Sequence, residues 1–152
     1  MKVIVIGASG TIGSKVAEKL KENHHEVIEV GSQSGDYQLD ITSPEQIEKM
    51  YKDIDNIDAV VSATGGATFK ALSEISLEEN NVAIQSKLLG QINLVLIGQH
   101  YLNENGSFTL TSGIMMDDPI KLGSSAAMAN GGIAGFVTSA AVELKHGLRI
   151  NN

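Results

Sequence analysis

The stretch Gly7-Ala8-Ser9-Gly10-Thr11-Ile12-Gly13 sets glycine at every third position, with two hydroxyl side chains between the glycines. Glycine lacks the Cβ atom that would hold an oxyanion away from backbone N–H groups, so this spacing suits a phosphate. Ser9 and Thr11 add hydroxyl donors. A helix beginning at the loop contributes unsatisfied N–H groups and a partial positive charge. In the phosphate loop of ATPases a lysine precedes the Ser or Thr, whereas Gly13-Ser14-Lys15 has the opposite order. Dinucleotide binding is the chemistry the loop predicts, against a tight turn that uses glycine only for packing.

The ribose end of such a site lies about 20 residues further on, where an acid pairs with a free 2′-hydroxyl and an arginine with a 2′-phosphate. Residues 26–30 (EVIEV) lead into Gly31-Ser32-Gln33-Ser34, which contains neither. Glu29 falls within the strand, facing solvent or a helix. Small side chains such as Ser32 leave room for a phosphate and do not repel it. The expected cofactor is NADP or NAD, with NADP preferred.

These residues need a frame, and the hydrophobic pattern supplies one. KVIVI at residues 2–6 is a β-branched run suited to a strand buried on both faces. The following segment sets Ile12, Val16 and Leu20 on one helical face. Strands are predicted at residues 26–30, 37–41, 58–63 and 107–111, with the start of a sixth at 148–151. Ser43-Pro44-Glu45-Gln46 and Ser76-Leu77-Glu78-Glu79 each read as a capping box opening a helix, the second helix running to about Leu102. An Ala-rich helix is expected from Ser124 to Leu144. The βα alternation predicts an α/β fold, a Rossmann-like doubly wound parallel sheet in three α/β/α layers, as a single domain over residues 1–152.

Composition narrows the partners. The chain of 152 residues carries a formal net charge of −7 and only 4% aromatic residues, which disfavours nucleic acid. No apolar run reaches the ~20 residues of a membrane span. No cysteine is present, so disulfides and thiolate metal sites are excluded. Asp117-Asp118 and His24-His25 lack the companions of a metal site. A soluble, cytoplasmic protein is expected.

Along nearly its whole length the chain resembles the short-chain dehydrogenase/reductase family. The resemblance rests on residues 7–13 as the cofactor loop and on Asp40-Ile41-Thr42, whose carboxylate in the family meets the adenine. Residues 57–65 (IDAVVSATG) match the strand that lines the adenosine channel, here with Ala63, Thr64 and Gly65 at its end. Residues 108–113 (FTLTSG) match the strand bearing the active-site serine, and residues 135–139 with Glu143-Leu144 the end of the active-site helix. The resemblance implies hydride transfer between a nicotinamide and a small carbonyl or alcohol substrate, and a homodimer or higher homo-oligomer formed through two long helices. Gly90, Gly131, Gly132 and Ala134 would allow those helices to approach closely.

The family's Tyr-x-x-x-Lys pair has no counterpart. Counting back from Gly135-Phe136 puts Ala126 and Asn130 at its two positions, and Tyr37, Tyr51 and Tyr101 are followed four residues later by Ile41, Asp55 and Asn105. Lys87 falls where the family has its asparagine; it either snorkels to the surface or points into the site as a proton donor. An ungapped count back from Ala126 puts the family's serine position at Gly113, with Ser112 its neighbour; Ser112 either caps backbone or contacts the substrate carbonyl. Residues 113–119 (GIMMDDP) form either an adaptable apolar wall for substrate or a solvent loop. Family members continue past the Arg149-Ile150-Asn151 strand, so a shortened chain is expected. The alternative to an enzyme is a dinucleotide-binding sensor or scaffold without catalysis.

Overall fold

The unbroken run KVIVI forms β1 (Lys2–Ile6), buried on both sides of a sheet. Alternation sends Ile4 and Ile6 into one apolar core and Val3 and Val5 into another. The computed structural model describes all of residues 1–152. It adds β2 (Glu26–Gly31), β3 (Tyr37–Gln38), β4 (Ile57–Ser62), β5 (Leu102–Thr109) and β6 (Arg149–Asn151), all parallel, in the order β3-β2-β1-β4-β5-β6. The order reverses between β1 and β4. In an open α/β sheet, the crevice beyond the carboxyl ends of those two strands is where ligands bind.

Helix α1 (Thr11–Glu22) covers one face through Ala17, flanked by Val16 and Leu20. The opposite face is covered by α2 (Pro44–Asp53), α4 (Gly90–Gly98) and α5 (Ser124–Ala140), which contribute Ile47, Met50, Leu94, Ile133 and Val137 to the larger core. The result is the expected three-layer Rossmann-like fold.

Several local expectations need correction. The buried stripe of α1 is Gly13 and Ala17, while Ile12 at its start is 60% exposed, because the first turn projects beyond the sheet. Strand β3 has only two residues: Asp40 turns the chain by accepting hydrogen bonds from the backbone N–H and hydroxyl of Thr42. Ser43 caps α2 as predicted, but the capping box does not close. The Gln46 side chain accepts from the Asp40 N–H instead, tying the turn to the helix. Ser76 and Glu79 do form a complete capping box, opening α3 (Leu77–Val82).

The largest difference lies beyond α3. One helix to Leu102 was expected, yet residues Ala83–Leu89 are π-helical, α4 ends at Gly98, and Leu102 already begins β5. Apolar periodicity does not register the extra residue that a π turn inserts. Helix α5 stops at Ala140, and 141–143 form a turn. Strand β5 ends at Thr109, so Ser112 lies just beyond the sheet.

Candidate active site

The turn after β1 is set by sterics. Gly7 has φ +81°, and a Cβ there would lie 2.6 Å from the Ala63 carbonyl oxygen at the end of β4. At Gly13 a Cβ would lie 2.0 Å from the Gly7 carbonyl oxygen, so the helix can start this close to the strand only as glycine. Gly10 differs from both. A Cβ there would meet only the Gly7 oxygen, at 3.3 Å. Gly10 is also the N-cap of α1, with no side-chain cap and no acid in the first turn. The N–H groups of that turn have no side-chain cap, so the helix end favours an anion, and Gly10 edges an opening.

That opening is a cavity of about 340 Å³ at the β1/β4 switch point. Of the residues expected to hold a cofactor, Gly7, Ser9, Gly10, Ser32, Asp40, Ile41, Ala63 and Thr64 line it. Thr11 and Ile12 sit exposed at the start of α1, outside the lining. Gly13 and Gly65 have packing roles: at Gly65, with φ +124°, a Cβ would lie 2.7 Å from the Lys87 Cα. Hydrogen bonds from Thr42 hold the Asp40 carboxyl below its usual range, so an anionic acceptor stands at the cavity edge. Beyond β2 neither nearby carboxylate is free: Glu29 pairs with Lys21 of α1, and Asp36 accepts from the Glu29 N–H.

Ser86, which the sequence reading did not single out, also lines the cavity. Its hydroxyl accepts from the Gly66 N–H at 3.0 Å. It precedes Lys87 in the π-helical segment, and that segment sets both side chains toward the ends of β4 and β5. The only sequence signal is the polar run Gln85-Ser86-Lys87 between Ile84 and Leu88.

Lys87 lies by the residues that follow β4 and β5, outside the lining of that cavity. Its stem packs on Gly65, and its ammonium donates to the Ser112 carbonyl at 3.4 Å. It is half-buried, and desolvation holds its pKa below the ordinary value of 10.5. None of the eight lysine–carboxylate pairs in the protein includes it. The Ser112 hydroxyl oxygen accepts from the Asn152 amide at 2.6 Å and makes no bond to backbone. Its own proton is left available to another acceptor.

Gln91 holds this pair in place and was not anticipated. Completely buried in α4, its amide donates to the Lys87 carbonyl at 3.1 Å and to the Thr111 carbonyl at 3.0 Å. Its oxygen accepts from the Thr111 N–H at 2.9 Å. One side chain therefore fixes the backbone of Lys87 and the residue before Ser112. The Thr111 hydroxyl adds a 2.6 Å bond to the Ser62 carbonyl, which joins β5 to β4.

Helix α5 presents neither a phenol nor a cation here. Ala126 is buried, and Asn130 is fully buried against Gly113 with both amide atoms unpartnered. Residues 114–116 form a single 3₁₀ turn in which Ile114 is 72% exposed. No group of three or more His, Asp or Glu residues is placed to hold a metal ion.

The sheet order, the glycine turn and the cavity at the switch point define a dinucleotide-binding protein of short-chain dehydrogenase type. The chain belongs to the short-chain dehydrogenase/reductase family: residues 7–152 match the family model described as enoyl-(acyl carrier protein) reductase. It is 58% identical to the protein lin1944 from Listeria innocua, with a TM-score of 0.96, over 99% of this chain and 75% of that one. A small-chain dehydrogenase solved in complex with NADPH is 25% identical, with a TM-score of 0.88, over 95% of this chain and 65% of that one. The ligand-free aldohexose dehydrogenase of Thermoplasma acidophilum shares the fold, with a TM-score of 0.90 at 22% identity over 97% of this chain and 63% of that one. No curated protein matches the sequence. No helix is long and apolar enough to cross a membrane.

Proposed function

We propose that this protein is an NAD(P)-dependent oxidoreductase acting on small carbonyl or alcohol substrates, with Lys87 as proton donor in place of the family's tyrosine and Ser112 polarising the carbonyl. The observation that carries the reading is the unobstructed Gly10 edge opening onto the switch-point cavity. Internal packing accounts for Gly7 and Gly13 but leaves the missing Cβ at Gly10 for a ligand. The first turn of α1 would hold the pyrophosphate, and Asp40 and Ser86 would face the adenosine. The absence of a free carboxylate beside Ser32 favours NADP over NAD.

A nicotinamide held there would supply the hydride-transfer chemistry. On the protein side, the Ser112 hydroxyl donates to the substrate carbonyl oxygen and polarises it. The Lys87 ammonium gives that oxygen a proton as negative charge develops on it, and the neutral amine regains a proton from solvent. Desolvation makes the ammonium a better acid than a surface lysine. Ala126 leaves no competing donor on α5.

The same reading pairs two copies through α4 and α5. Gly131 and Gly135 face open space on α5, whereas Gly90 and Gly132 already pack on Ile41 and Leu88 of their own chain. Ala126 and Asn130 support a second reading, a dinucleotide sensor or scaffold without turnover. A panel of carbonyl compounds followed by NADPH consumption separates the two. Turnover that Lys87→Met leaves unchanged would remove Lys87 from the mechanism.

A further inference from the structure

Every other lysine near the substrate side has a partner or lies in open solvent. Lys70 donates to Glu79, whose carboxyl is held at about 2 by that bond and by the Ser76 N–H. Lys121 is exposed on its loop. Lys87 alone is half-buried and unpaired, and its single recorded acceptor is the Ser112 carbonyl at the long distance of 3.4 Å. An ammonium has three N–H donors, so two are free to meet a ligand. The residue whose carbonyl it meets, Ser112, carries a hydroxyl that donates to no group of the protein, and no carboxylate pairs with either side chain.

A cation and a hydroxyl donor together, without a counter-ion, are complementary to an anion. The nearest exposed side chains on the following loop, Ile114 and Met116, are apolar. We propose that the substrate is a 2-oxo monocarboxylate, or the corresponding 2-hydroxy acid, whose carboxylate pairs with Lys87. In such a compound one carboxylate oxygen and the keto oxygen lie side by side and can share one ammonium. Lys87 then binds the carboxylate through one N–H and releases a proton to the keto oxygen through another, while Ser112 donates to the same keto oxygen. One lysine serves as anchor and acid. The inference rests on the oxidoreductase reading above.

The test compares 2-oxobutanoate with its neutral methyl ester, followed by NADPH consumption, together with calorimetric binding of 2-oxobutanoate to the NADP-loaded protein, where no turnover occurs. The acid should have a kcat/KM at least ~10-fold above the ester, since a charge-assisted bond is at stake. Lys87→Arg keeps the charge but cannot release its proton, so it should retain binding of 2-oxobutanoate and lose kcat. Lys87→Met should lose both, while NADPH fluorescence reports that the fold and the dinucleotide site persist. Equal or better turnover of the ester, or calorimetric binding unchanged in Lys87→Met, overturns the carboxylate assignment and leaves the oxidoreductase reading standing. Failure of acid, ester and neutral ketones alike, in protein that binds NADPH, overturns both.

Discussion

The three loop glycines should separate under mutation into one that serves binding and others that serve the fold. In Gly13→Ala the new Cβ lies 2.0 Å from the Gly7 carbonyl oxygen, a backbone atom that cannot swing away. Overpacking of this kind costs about 1–3 kcal/mol or more. For a protein of this size each kcal/mol lowers Tm by roughly 2–4 °C. In Gly10→Ala the same atom stands 3.3 Å from that oxygen, and the φ of −79° suits alanine. The main cost is a poorer N-cap, about 1 kcal/mol or less. The methyl group does, however, project into the opening where a pyrophosphate would meet the first turn of α1. Loss of one charge-assisted hydrogen bond, about 1.5–3 kcal/mol, weakens dinucleotide affinity ~10- to 100-fold. Thermal unfolding and reduced-nicotinamide fluorescence titration on the two variants read the two effects separately. Wild-type affinity in a folded Gly10→Ala protein would refute the loop as a phosphate cradle.

Lys87→Met should raise Tm while abolishing turnover, because desolvation makes the charged lysine a cost to the fold. The folded pKa lies below the unfolded one, so the native state sheds its proton first as pH rises. The stability gap between variant and wild type is then widest below the folded pKa and closes toward pH 10.5; thermal melts across that range check it. Asn130→Leu replaces an amide with two unpartnered buried atoms by an apolar side chain of similar shape, and should stabilise by about 1–2 kcal/mol in denaturant titrations. Gln91→Leu strips partners from Thr111 and Lys87 and should cost about 2–4 kcal/mol, with loss of turnover in whatever protein remains folded. Ala126→Tyr with Asn130→Lys restores the family pair on α5, and a gain in NADPH-dependent turnover is the expected outcome.

Much of the frame was legible because β-branched runs and glycine turns are local signals. KVIVI announced a strand buried on both faces, and Gly7, Gly10 and Gly13 announced the turn after it. Ser76 and Glu79 carried their own cap. The π turn at Ala83–Leu89 was not legible, since its extra residue leaves no trace in the hydrophobic period, and Ser86 was missed with it. Gln46 misled because a glutamine at the third helical position has more than one N–H within reach, and the Asp40 turn claimed it. Gln91 was invisible for a different reason. A glutamine in an apolar helix announces no role until the fold brings Thr111 and Lys87 to either side of it. Sequence left Lys87 between surface and site; its contact with Gly65 depends on the same π turn.

The chemistry proposed for Lys87 and Ser112 depends on dinucleotide binding at the loop of residues 7–13. Titrating NADPH and NADH into the intact protein and following nicotinamide fluorescence tests it directly. Saturable enhancement, with NADPH binding more tightly than NADH and Gly10→Ala weakening both, is the predicted result. No response to either at millimolar concentration would contradict it.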